Sequence, residues 1–215
     1  PSNAEAHVNL AGIEIRRGRP ALAVEHCNAA LRNQPANPDA RANLAGALIA
    51  LGSYREAEQH LRAVIADYPG IAGAHVNLAL ALVKQGRWDD AEKQLRIACD
   101  LVPGDTSARI ELARLLDERG RPAEAAGELR KSLAAKPDDP VLNYRVAVLE
   151  TKAQRPRAAV AHLTTALKSR PDWTEALTNL AWIRSTSIDD SVRDGKDAVR
   201  LAERADRATG GKHPL

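Results

Sequence analysis

The chain has 215 residues, of which 44% are apolar and 3% aromatic, with no phenylalanine or methionine. That is enough apolar material for a buried core, but one made of small side chains that leave little room for a cofactor. The net charge of +3 comes from 31 basic and 28 acidic residues interspersed along the chain, which argues against a surface that tracks nucleic-acid phosphates. The absence of any apolar run of about 18 residues argues against insertion into a membrane.

In chain order, the first predicted element is a helix over roughly Ala4 to Arg17. Its apolar residues Val8, Leu10, Ala11, Ile13 and Ile15 cover more than one face, as in a helix packed between neighbours. Gly18 ends it, because glycine takes the left-handed conformation of a C-cap without steric cost. Pro20 starts a second helix, where a missing N–H does no harm, and Ala23, Cys27 and Ala30 form its apolar stripe. Pro35 closes the unit, since the residue before a proline avoids the helical region.

The same order returns every 34 residues, in the prolines Pro1, Pro35, Pro69, Pro103, Pro137 and Pro171. Ala11, Ala45, Ala79, Ala113, Ala147 and Ala181 keep that register, as do Gly18, Gly52, Gly86 and Gly120. A fixed period of this length predicts one stacked array of helical hairpins with repeats 4–37, 38–71, 72–105, 106–139 and 140–173, then a modified repeat 174–211. Pro1 belongs to the end of a missing repeat, and Lys212-His213-Pro214-Leu215 stands where another helix would start, so the chain reads as a piece of a longer protein. Cys27 and Cys99, about two repeats apart at apolar positions, read as buried small hydrophobes rather than a disulfide.

Two repeats depart from the pattern. In the fifth, Gln154 stands in the glycine column, at a cost of about 1 kcal/mol if the left-handed conformation is kept, with Pro156 helping to fix the next helix start. In the sixth, five residues are inserted within Ser185–Gly195. There Asp189, Asp190, Arg193 and Asp194 read as a helix cap and a local Arg–Asp lock that re-aims the last helix.

Counting Ala4 as position 1, a small residue at 8, glycine at 15, alanine at 20, a large apolar residue at 24 and proline at 32 resemble the tetratricopeptide repeat family. The resemblance implies an all-α, right-handed superhelical solenoid of antiparallel helix pairs, with helix A of each pair lining the concave side. The stretch from Leu180 to Glu203 is similar to a bacterial variant of the family sometimes found beside membrane glycosyltransferases.

The resemblance also places a peptide groove on one face of the A helices. Position 6 reads Asn9, Asn43, Asn77, Glu111, Arg145 and Asn179. An asparagine amide offers donors and an acceptor, so such a column can hold an extended backbone whatever its sequence. It resembles the asparagine ladder in the repeats of O-linked N-acetylglucosamine transferase. Position 9 reads Gly12, Gly46, Leu80, Arg114, Val148 and Trp182, and its two helical glycines fit either an open groove floor or close packing. Tyr144, Arg145 and Trp182 form the residue mixture of a binding hot spot, whereas Tyr54, Trp88 and Trp173 read as structural. The clamp for a chaperone C-terminal carboxylate does not fit, because its positions hold Val8, Gly12, Asn43, Gly73 and Asn77.

Nothing in the sequence points to catalysis, a metal or a cofactor. His26, His60 and His162 share position 23, and His7 and His75 share position 4. Equivalent positions in neighbouring repeats are separated by about 8–10 Å or more, too far to share a zinc ion. The expectation is a non-enzymatic interaction scaffold for a protein or peptide partner in the bacterial cytoplasm or periplasm. The alternatives are a self-assembling array that forms a homo-oligomer, and a substrate-recruiting accessory domain of a glycosyltransferase or other envelope enzyme.

Overall fold

A computed structural model describes residues 3–209. Pro1 and the stretch 212–215 that would start a further helix lie outside the described residues, as do the last two residues of the sixth repeat. Among the described residues there are twelve α-helices and no strand. They are α1 (Asn3–Arg16), α2 (Pro20–Asn33), α3 (Pro38–Ala50), α4 (Tyr54–Asp67), α5 (Ala72–Lys84), α6 (Trp88–Leu101), α7 (Thr106–Glu118), α8 (Pro122–Leu133), α9 (Pro140–Lys152), α10 (Pro156–Ser169), α11 (Thr174–Thr186) and α12 (Gly195–Thr209). Odd-numbered helices are the A helices of the six repeats and even-numbered ones the B helices. They fall into two compact units, one ending at Ala108 and the other beginning at Arg109.

One turn design joins A to B in the first five repeats. Gly18, Gly52, Gly86 and Gly120 have φ of 69°, 83°, 75° and 73°. In each, the glycine N–H bonds the carbonyl three residues back, and the next N–H bonds the carbonyl five back, as in Gly18 to Ile15 (3.0 Å) and Arg19 to Glu14 (2.9 Å). This Schellman pairing satisfies carbonyls that a helix end would otherwise orphan. Gln154 takes φ of 57° and makes the same two bonds, Gln154 to Thr151 (3.0 Å) and Arg155 to Glu150 (2.8 Å). The geometry is therefore imposed by the repeat, and the side chain bears its cost.

Prolines set the helix starts and stops. Pro20, Pro38, Pro122, Pro140 and Pro156 stand in the first turn of their helices. Asn37 caps α3 by accepting the Ala40 N–H at 2.9 Å, and Asp139 caps α9 by accepting those of Val141 and Leu142. At the other end, the C-caps Gln34, Tyr68, Val102 and Arg170 swing to ψ of 71–81° just ahead of a proline. Helix α8 ends early, at Leu133, with Ala134 still in the helical region.

In the first unit α1 packs on α2 and α3, α3 on α4 and α5, and α5 on α6. In the second, α8 packs on α9, α9 on α10, α10 on α11 and α11 on α12. The alanines at positions 8 and 20 are buried throughout, so the helices of a pair approach closely. Leu61, Leu95, Leu129 and Leu163 at position 24 are buried too, each contributing about 1.5–3 kcal/mol. Cys27 and Cys99 are buried and form no disulfide, and burial pushes the Cys27 thiol up to about 11. Leu10 is 40% exposed where its counterparts Leu44 and Leu78 are buried, since no described helix covers that side of α1.

Acidic residues enter the core only with partners. Glu14 pairs with Arg17 and Arg19, Glu58 with Arg62 and Arg87, and the fully buried Glu150 with Arg130 and Arg155. Burial alone would push the Glu58 carboxyl up. Hydrogen bonds from Gln85, Arg62 and Arg87 outweigh it and hold that group below its usual range.

The insert forms the connection between α11 and α12. Asp194 caps α12 by accepting the Asp197 N–H at 3.0 Å. Arg193 pairs with Asp190, as the local lock requires. Asp189 reaches further, taking Arg157 of α10 at 2.6 Å, which with hydrogen bonds from Ser191 holds its carboxyl far below the usual range. Arg184 fastens the connection from α11, donating to the Val192 carbonyl at 2.9 Å and facing Asp197 at 3.4 Å. Val192 is thereby drawn into the core.

Candidate binding face

Positions 6 and 9 of an A helix lie one above the other, because residues three apart share a helix face. In the first unit this face carries Asn9, Asn43 and Asn77. Asn9 is exposed, and Asn43 and Asn77 are half-buried. Asn43 donates one amide N–H to the Val8 carbonyl of α1 at 3.3 Å, so part of its capacity ties two A helices together. Gly12 and Gly46 sit on the same face. A Cβ built on Gly12 would come no closer than 3.7 Å to Arg16 and 4.0 Å to Asn43, and one on Gly46 would meet Ile15 at 3.9 Å. These are ordinary van der Waals contacts, so packing does not demand glycine at either position.

In the second unit the charges at the A-helix face are mostly neutralised. Arg114 lies between Glu111 at 2.9 Å and Glu118 at 2.6 Å, and Lys152 pairs with Asp117. Arg145 is exposed and has no ion pair or hydrogen bond among the described residues. Tyr144, half-buried, packs on Trp173 with ring centroids 4.6 Å apart, and its hydroxyl accepts a hydrogen bond from Asn179 at 3.2 Å. Arg170 lies over the other ring of this pair, 4.4 Å from the Trp173 centroid. Trp173 thus anchors Tyr144 rather than the groove. Trp182 is 58% exposed and borders a cavity of about 350 Å³ with Gln154, Pro156 and Ile188. A second cavity, of about 240 Å³, opens between α7 and α9 beside Tyr144 and Arg145.

One recurrent feature escaped the sequence reading. Positions 4 and 23 of the same repeat, both sorted there as separate histidine columns, meet across the hairpin. His7 and His26 face each other at 3.1 Å, His75 lies 2.8 Å from the Gln94 amide, and His162 donates to Asn143 at 2.8 Å. Arg109 and Glu128 occupy the same two places at 3.7 Å. The position-4 residue also reaches the closing proline of the preceding repeat: His75 donates to the Pro69 carbonyl at 3.0 Å and Asn143 to that of Pro137 at 2.7 Å. In the sixth repeat Leu177 and the displaced Leu201 take these places in an apolar cluster. Burial lowers the pKa of His60 and His162, so both favour the neutral ring. The side-chain pairs of His7, His75 and His162 each close within one hairpin, and among the described residues no three or more His, Cys, Asp or Glu gather as a metal site. No helix there is long and apolar enough to cross a membrane.

Comparison with solved structures finds the same architecture elsewhere. The pilF protein of Pseudomonas aeruginosa aligns over 97% of this chain and 93% of its own, with 20% identity and a TM-score of 0.73. TTC0263, a thermophilic TPR protein of Thermus thermophilus, aligns over 84% of this chain and 98% of its own, with 21% identity and a TM-score of 0.63. YrrB, described as a TPR protein with an unusual peptide-binding site, aligns over 80% of this chain and 88% of its own, with 20% identity and a TM-score of 0.60. At such identities the likeness is one of fold. A comparison with curated proteins returned no match. The family model described as Tetratricopeptide repeat matches residues 1–38, 28–72, 42–106 and 76–140. Those matches together run through well over half of the chain, which belongs to the tetratricopeptide repeat family.

Proposed function

We propose that the chain is a non-catalytic interaction module that holds an extended peptide, or an extended segment of a partner protein, on its A-helix faces. In the first unit Asn9, Asn43 and Asn77 take hydrogen bonds from the peptide backbone over Gly12 and Gly46. In the second, Asn179 does the same, Glu111 and Arg145 flank the path, and Tyr144 and Trp182 supply apolar contact. The observation that carries this reading is Trp182, a tryptophan more than half exposed on the same helix face as Asn179. YrrB, with its described peptide-binding site, lends the reading support.

The test is selection of displayed random peptides on the chain, followed by affinity measurements with the winners. Asn43→Ala combined with Asn77→Ala, and separately Trp182→Ala, are expected to weaken binding while helix content by circular dichroism stays unchanged. Unaltered affinity in both variants would reject the assignment of this face. Self-association is the second reading, favoured by exposed apolar side chains such as Leu10 and Val199. Sedimentation at several concentrations separates the two, and a strict monomer counts against assembly.

A further inference from the structure

The cavity between α7 and α9 has a composition that selects its occupant. Ile110, Ala113, Leu129, Val148 and Leu149 make it apolar, and Tyr144 forms one wall. At about 240 Å³ it falls below the usual range for small-molecule sites, roughly 300–1,000 Å³, and suits one or two side chains. Three charged groups stand on its lining. Arg114 is held between Glu111 and Glu118, and Asp117 is taken by Lys152. Only Arg145 is exposed and without an ion pair among the described residues.

We infer that this cavity reads one aliphatic side chain of the bound peptide together with a neighbouring carboxylate, the first seated on the apolar floor and the second gripped by Arg145. The inference rests on the peptide-binding reading and adds the class of peptide. The chemistry is direct. A guanidinium presents parallel N–H donors that match the two oxygens of a carboxylate, and its geometry is less suited to a neutral amide. In an extended peptide successive side chains alternate in direction, so the acidic residue lies within about two positions of the aliphatic one. The ion pairs of Arg114 and Asp117 keep a basic peptide from finding a free carboxylate partner in the cavity.

The test pans a displayed library of random peptides against the full chain and against Arg145→Ala and Arg145→Glu. Arg145 is exposed, so both variants keep the fold, and circular dichroism checks this. The wild-type chain is expected to enrich Asp or Glu beside Leu, Ile or Val. A fluorescein-labelled winner should bind Arg145→Ala about tenfold more weakly, the loss of one charge-assisted hydrogen-bonded contact. Arg145→Glu should lose the acidic preference altogether. Synthesising the winner with a free or an amidated C-terminus separates the chain-terminal carboxylate from a side-chain one. Wild-type winners with no acidic bias, or an acidic bias that survives Arg145→Ala, would overturn this inference and leave peptide binding standing. No enrichment of any peptide would overturn both.

Discussion

Gln154 offers a test of how the repeat governs its turns. Its φ of 57° puts an L-residue where four sister turns use glycine, and the two Schellman bonds hold it there. The left-handed conformation costs a residue with a Cβ about 1–2 kcal/mol. Glycine removes that cost but loses more entropy on folding, about 0.4–1 kcal/mol. The Gln154 side chain is exposed and makes no hydrogen bond among the described residues, so its removal forfeits no hydrogen bond. Gln154→Gly should therefore stabilise the chain by about 0.5–1 kcal/mol. The reverse change, Gly86→Gln, should destabilise it by a similar amount, since a Cβ at Gly86 meets only open space and the backbone alone decides. Urea titration followed by circular dichroism reads both as shifts in midpoint at constant slope. Because stacked repeats can unfold in parts, hydrogen exchange at the fifth turn gives a local reading. A Gln154→Gly chain no more stable than the parent, with Gly86→Gln harmless, would refute the reasoning.

Gly12→Ala and Gly46→Ala should each raise stability by about 1 kcal/mol, because the new Cβ atoms make ordinary contacts and helix propensity improves; a loss in denaturant titration would mean that the floor is packed. Stability should also fall with acid in a way that tracks His60 and His162. Their folded-state pKa values lie below the usual 6.5, so the unfolded chain binds protons first and stability drops as pH falls below about 6.5. His162→Gln, assayed by thermal unfolding between neutral and mildly acidic pH, should flatten that slope; an unchanged slope would show that the ring carries none of it.

The hairpins were legible in the sequence because a repeat repeats its backbone demands. Glycine and proline answer those demands almost alone, so their columns mark each turn, and even Gln154 is found as a gap in one of them. The first helix, read as Ala4 to Arg17, begins and ends one residue earlier, at Asn3 and Arg16. The candidate face was legible as a set of positions but not as a set of bonds. Nothing in the asparagine column tells that Asn43 spends one N–H on Val8 or that Asn179 spends one on Tyr144. The pairing of positions 4 and 23 stayed hidden for a chemical reason. His–His, His–Gln, Asn–His and Arg–Glu fill the same space with compatible polar atoms while sharing no residue type. The path of the insert lies outside the period, and the grip of Asp189 on Arg157 comes from where that loop happens to run.

Because each of those polar pairs closes within a single hairpin, the hairpin is the natural unit of exchange. Swapping the whole of α5–α6 for α9–α10 would carry His75 with Gln94 and Asn143 with His162, leaving both locks matched. Transplanting α8 alone beneath α9 would set Glu128 against Asn143 and part it from Arg109. The sixth hairpin, sealed by leucines, would tolerate neither donor. Recombination in such a gene is thus graded by where the cut falls: cuts at the closing prolines conserve every match, and cuts at the glycine turns break them.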